Sequence, residues 1–247
     1  MSKRKRIWGW FFYDWACQPF YTLMLTFFFA PYFATVAADY FIASGMETEV
    51  SKAKAQTMWS ICLSASGLFI GISAPILGAI ADTSGRRMPW IYVFSIMLIL
   101  GALGTWVGVP DGSNLTLMLY FFALGYIGTE FALIFTNAQL TTLGSQSEIG
   151  KISGSGFGFG YLGGVFALAI ALLFLVEQPN GKTFMLGIDP LFGFLDPAQM
   201  EGTRFVGPLA AIWFVIFAIP YFRNIKDDPA LLDKINVGKG LRDLVQL

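Results

Sequence analysis

Histidine is missing altogether from these 247 residues, and charge is scarce. Without imidazole, no histidine metal site and no histidine proton relay can be built. Only 13% of the residues are charged, where a water-soluble domain carries about 25%. The two cysteines, Cys17 and Cys62, both fall in apolar stretches and imply packing rather than a disulfide framework. No cluster of metal ligands and no intramembrane pair of nucleophile and base stands out, so no metal, no cofactor and no enzymatic chemistry is expected. The run GFGFG (156–160) lies inside an apolar segment rather than between a strand and a helix, which a phosphate loop needs. The formal net charge is zero, and no nucleic-acid partner is expected.

What is abundant is apolar. Hydrophobic residues make up 55% of the chain, more than a core of this size can hide. Six uncharged runs stand out: Trp15–Ala38, Ala55–Ala81, Met88–Pro110, Gly112–Thr129, Ile152–Val176 and Phe205–Phe222. Each has about the 17–25 residues that a bilayer-spanning helix needs, or somewhat more. Lipid offers no hydrogen-bond partners, so such runs must close their own backbone bonds as helices. The strand alternation of a β-barrel is absent. The expected fold class is all-α, with six transmembrane helices and a multi-pass place in a membrane, taken to be a bacterial inner membrane.

With six spans the termini share one side. That side holds twelve of the 16 basic residues: positions 3–6, Arg86, Arg87, Lys151 and five in the tail beyond Phe222. The opposite side holds Lys52, Lys54, Lys182 and Arg204. Basic residues stay on the cytoplasmic side, so both termini are expected there. The start MSKRKR resembles a secretory signal, but the apolar stretch behind it outruns a signal core of about 7–15 residues. An uncleaved first span is the expectation. The division predicted is a six-helix bundle over 1–222 and a cytoplasmic connector over 223–247, leading to a second half outside this chain. The loop between spans five and six, Glu177 to Arg204, contains TFMLGIDPLFGFLDP, too apolar for a solvated loop. Two readings stand: Phe184, Phe192 and Phe194 lie among lipid headgroups, or the loop packs over the end of the bundle.

Between the second and third runs lies GAIADTSGRR (78–87), which reads as Gly78-x-x-x-Asp82-x-x-Gly85-Arg86-Arg87. Gly78 would let two helices approach closely. Asp82 would accept hydrogen bonds from a neighbouring helix N-terminus. Gly85 permits a tight turn, and the arginines hold the loop inside and can pair with carboxylates. The plain alternative is a charged turn that only fixes topology. This joint resembles the signature between the second and third helices of the major facilitator superfamily, and the resemblance implies a conformational gate made by Gly78, Asp82, Gly85, Arg86 and Arg87. WGWFFYDWACQPFYT (8–22), TEFALIFTNAQLTTL (129–143) and GKISGSGFGFGYLGG (150–164) are similar to the vacuolar effluxer-like branch of that superfamily. Cys17-Gln18-Pro19 departs from the small residue and polar amide or serine common at that point. The superfamily fold uses two six-helix halves, of which this chain supplies one.

Asp14 and Glu130 are acids within spans, costly at membrane depth and usually functional. Asp14, Gln18 and Tyr21 share one face of span one at i, i+4 and i+7. The functional reading is solute contact or proton coupling; the alternative is a cap or a pair with Arg86 near the inner face. Glu130, Asn137 and Thr141 share a face of span four. Glu130's expected partners are Arg86, Arg87, a hydroxyl such as Tyr126, or a proton. Gly156, Gly160 and Gly164 recur every four residues in span five and make a smooth face for helix packing. The aromatic cluster Trp8 to Trp15 reads as an interface belt.

Taken together, the chain reads as half of a secondary active transporter. It would move a small polar solute, amino acids among the candidates that the resemblance brings, by alternating access and with proton coupling as an option. Asp14, Gln18, Glu130 and Asn137 are the expected solute or proton pathway. Its partners are the solute, the lipid bilayer, and a second half or another copy of the chain. The alternative class is an integral membrane subunit that binds or assembles without transporting.

Overall fold

The computed structural model describes residues 2–227. The connector beyond them, with Lys234, Lys239 and Arg242, lies outside the described residues. Among the described residues, six helices are long and apolar enough to cross a membrane: α1 (Lys3–Ala43), α2 (Thr48–Ser84), α3 (Met88–Val107), α4 (Leu115–Thr142), α5 (Gln146–Phe174) and α6 (Glu201–Asn224). They overlap the six apolar runs; α1 begins well before its run, in the basic N-terminal segment, and α4 continues to Thr142, past the end of its run at Thr129.

Local chemistry sets several boundaries. Gly85 ends α2 in the left-handed region, φ 63°, and its N–H returns to the Asp82 carbonyl. Pro89 stands in the first turn of α3, where its missing N–H costs nothing. Ser145 and Glu148 start α5 with reciprocal side-chain-to-backbone bonds.

α1 is broken into three pieces, which the sequence reading treated as one continuous span. Lys3–Pro19 is α-helical, Phe20–Phe27 winds as a π-helix, and Phe29–Ala43 is α-helical again. Pro19 explains the first break. It has no N–H to give, so the carbonyl four residues back, on Trp15, is released. The indole Nε1 of Trp213 on α6 takes that carbonyl at 3.2 Å.

α1 is the hub and packs against α5, α6 and α2. α3 and α4 pack against each other most extensively. There, a Cβ on Gly101 would collide with the Gly125 backbone, and a Cβ on Gly128 would come within 2.6 Å of the Leu98 nitrogen. The second small-residue contact runs between α1 and α5. Gly156 sits against Trp10, Gly160 against Asp14, Gly163 against Trp15 and Gly164 against Thr22. α2 is the least covered of the six helices. Its Ile61, Leu68, Phe69 and Ile72 are all exposed.

The loop after α5 divides its apolar side chains: Leu195 is buried in the core, with Leu191 and Met200 packed against it, while the three phenylalanines point outward. Phe184, Phe192 and Phe194 are exposed, although Phe192 stays in ring contact with Phe174. Leu191 and Phe192 adopt positive φ, 45° and 60°, a strained state for such residues. An ion pair between Lys182 and Asp189 at 2.7 Å braces the loop. Arg204, which the charge pattern placed on the outer loop, is instead buried in the first turn of α6. Its guanidinium lies 4.5 Å from the Trp106 ring centroid and donates to the Trp106 carbonyl at 2.7 Å. Beside it, Glu177 accepts from the Thr203 N–H at 2.9 Å. Burial pushes the Glu177 carboxyl above its ordinary range.

Candidate functional site

Two places gather polar side chains. The first is a cavity of about 720 Å3 on the face made by α1, α4 and α5. Three of the four expected pathway residues line it: Asp14, Gln18 and Asn137. Asp14 and Gln18 are one helical turn apart, and Gln18 Nε2 donates to Asp14 Oδ1 at 3.3 Å. The other carboxylate oxygen of Asp14 lies against Gly160, where a Cβ would collide with it. The glycine therefore makes the room that the acid occupies, a link between α1 and α5 that neither segment shows alone.

Glu130 stands behind Tyr21, which lines the cavity. The Tyr21 hydroxyl donates to Glu130 Oε1 at 2.9 Å. Of the expected partners it is a hydroxyl that meets Glu130, and it comes from Tyr21 of α1 rather than from Tyr126. Its register was visible in the sequence (Tyr21 is at i+7 from Asp14), but its partner was not. Thr141 does not join this set; it is exposed and donates to the Ala138 carbonyl. Gln139 turns inward instead, accepting from the buried Tyr221 hydroxyl of α6.

The second place is the joint between α2 and α3. Arg87 donates from Nη2 and Nε to Asp82 Oδ1 at 2.7 and 3.1 Å. Its Nη1 reaches the Ala138 carbonyl at the end of α4 at 3.1 Å. Arg87 therefore ties the joint to a different hairpin. The Arg86 backbone N–H donates to Ser84 Oγ at 3.3 Å. Two expectations change. Asp82 pairs with Arg87 rather than with a helix N-terminus. That N-terminus, on α3, is capped by Asp227, which accepts from the N–H groups of Arg87 and Met88 at 3.1–3.2 Å. Gly78 faces open space, with nothing within 4 Å of an added Cβ, so it brings no described helix close. Asp227 was missed because its segment offers no periodicity that points back across about 140 residues of chain.

Over 220 residues, 88% of its length, the chain is 24% identical to an uncharacterized MFS-type transporter, YxiO, of Bacillus subtilis (strain 168). This likeness supports a transporter of the major facilitator type. The chain spans about half the length of that curated relative, 46%. No protein-family profile and no solved structure matches it. Six apolar helices and this likeness together support an integral, multi-pass membrane protein that fits half of a major facilitator fold.

Proposed function

We propose that this chain is one six-helix half of a major facilitator secondary transporter, of the vacuolar effluxer-like branch, that moves a small polar solute by alternating access. Amino acids are the candidate class. The bundle occupies residues 1–222, and the segment from 223 leads to a second six-helix half or meets another copy of the chain. Both termini lie in the cytoplasm. The solute sits near the bilayer midplane between two bundles, where such transporters keep their sites. Asp14, Gln18, Glu130 and Asn137 serve as solute or proton pathway. Asp82, Gly85, Arg86 and Arg87 serve as the gate, with Asp227 as its brace and Gly78 on the open side of α2.

One observation carries this reading: an open cavity lined by Asp14, Gln18, Tyr21 and Asn137 on the face of a bundle whose other exposed side chains are largely apolar. Ionisable groups at such depth are expensive unless they line a water-filled path. The glycine face of α5 lets Asp14 of α1 sit on that path.

Full-length protein in liposomes tests it. Uptake or efflux of an amino acid that depends on an imposed pH gradient, and is lost in Asp14→Asn or Glu130→Gln, supports the proposal. A protein that reconstitutes with its fold intact yet moves no solute under any gradient would instead be a binding or assembly subunit.

A further inference from the structure

The cavity on α1, α4 and α5 is lopsided in its chemistry. Its lining includes one carboxylate, Asp14, with a second, Glu130, one hydrogen bond behind it through Tyr21. Among the described residues, no lysine or arginine lines it. A carboxylate offers about four acceptor positions and no donor. Asp14 uses one of them on Gln18, and Glu130 uses one on Tyr21. Those two bonds spend one N–H of the Gln18 amide and the Tyr21 hydroxyl proton. What the wall presents to the open space is one carboxylate with free acceptor positions, neutral amide and hydroxyl groups from Asn137, Thr22 and Ser153, and the rings of Phe157 and Tyr161. An anionic group brought here would meet like charge and no cationic side chain. A cation would meet carboxylate oxygens and ring faces, the two surfaces that hold an ammonium group.

We propose that this wall selects cationic groups: the solute carries a protonated amine or a quaternary ammonium, which docks on Asp14 between the aromatic rings. The proposal rests on the transporter reading above and narrows its substrate class. Gly160 has a part in it. By having no Cβ it leaves room for Asp14 Oδ2 against α5. A solute ammonium and a proton would compete for the same oxygen, so solute release and proton uptake share one residue.

The test measures the charge preference directly and needs no knowledge of the solute. In full-length protein carrying Cys62→Ser, Ser153→Cys places a thiol on the cavity wall. Its reaction rates with a trimethylammonium-ethyl and a sulfonato-ethyl methanethiosulfonate are compared, each relative to a free thiol in solution. A unit charge about 8 Å away at an effective dielectric of about 20 changes the local concentration of a charged reagent by roughly thirtyfold. The expected cation-to-anion ratio therefore exceeds that of the free thiol by at least about tenfold and falls by at least about threefold in Asp14→Asn. Thr26→Cys, at another part of the same lining, gives the same ordering should Ser153→Cys fold poorly. A ratio equal to or below that of the free thiol, or one that Asp14→Asn leaves unchanged, overturns the cation proposal while the cavity stands. Thiols at both positions that react with neither reagent in a folded protein would overturn the open cavity, and the transport reading with it.

Discussion

Asp14 and Gly160 act as a pair: the acid needs the absence of a side chain opposite. Gly160→Ala would push Asp14 out of its seat while leaving the helix former on α5 improved. The expected result is a solute flux reduced by about tenfold, a loss of roughly 1.4 kcal/mol in the transport step, with a melting temperature close to wild type. Flux assays and thermal unfolding on the same preparation check it; an unchanged flux would show that the contact is only packing. A different acid carries the pH dependence. Burial raises the Glu177 carboxyl, so the folded protein holds that proton more tightly than the unfolded chain does. The stabilisation is fully present below the ordinary glutamate range and is lost as pH rises through the raised folded value. Glu177→Gln should therefore unfold at a higher temperature than wild type at pH 7, and the gap should close as pH falls toward 4. A gap that is constant across this range would remove Glu177 as its cause.

Among the elements, α1 shows how one residue sets a chain of consequences. Pro19 withholds an N–H, the Trp15 carbonyl is released, and Trp213 reaches it from α6. Trp213→Phe leaves that carbonyl without a partner in an apolar setting. The expected cost is about 1–3 kcal/mol, seen as a lower melting temperature in detergent, and Pro19→Ala in the same chain should recover part of it by restoring the helical bond. If the double variant is no more stable than Trp213→Phe alone, the released carbonyl is not the reason for the contact. The α3–α4 pair makes a second case. Gly101 and Gly125 stand backbone to backbone, so Gly101→Leu should abolish folding of the bundle, read as loss of a monodisperse peak, whereas Gly78→Leu on the open face of α2 should be tolerated.

For the molecule as a whole, the joint between α2 and α3 is a junction of three segments. Arg87 holds Asp82 and the end of α4, and Asp227 caps α3 from beyond α6. Loss of a helix cap costs about 0.5–2 kcal/mol. Asp227→Ala should cost an amount in this range and also change the rate of exchange between inward and outward states, because it frees the connector from the joint. Amide exchange at the start of α3 reads the first effect, and accessibility of cavity cysteines under turnover reads the second. Stability lost with state exchange unaltered would make Asp227 a cap and nothing more.

The sequence by itself determined the number of helices, their approximate ends and the acids among them, because apolar length and lipid's lack of hydrogen-bond partners leave a spanning segment no other form. It also placed Asp14 and Gln18 on one face, since a helical turn is a local rule. The tertiary structure alone decided who meets whom. Glu130 found Tyr21 and not an arginine, α3 received its cap from Asp227, Arg204 went under Trp106, and Gly78 met open space while Gly101 met a neighbouring backbone. Periodicity fixes a residue's angle on its own helix but not the rotation of the helix packed against it. The break in α1 lay between these limits: Pro19 was visible in the chain, but the carbonyl it released gained its meaning only when Trp213 arrived from 198 residues away.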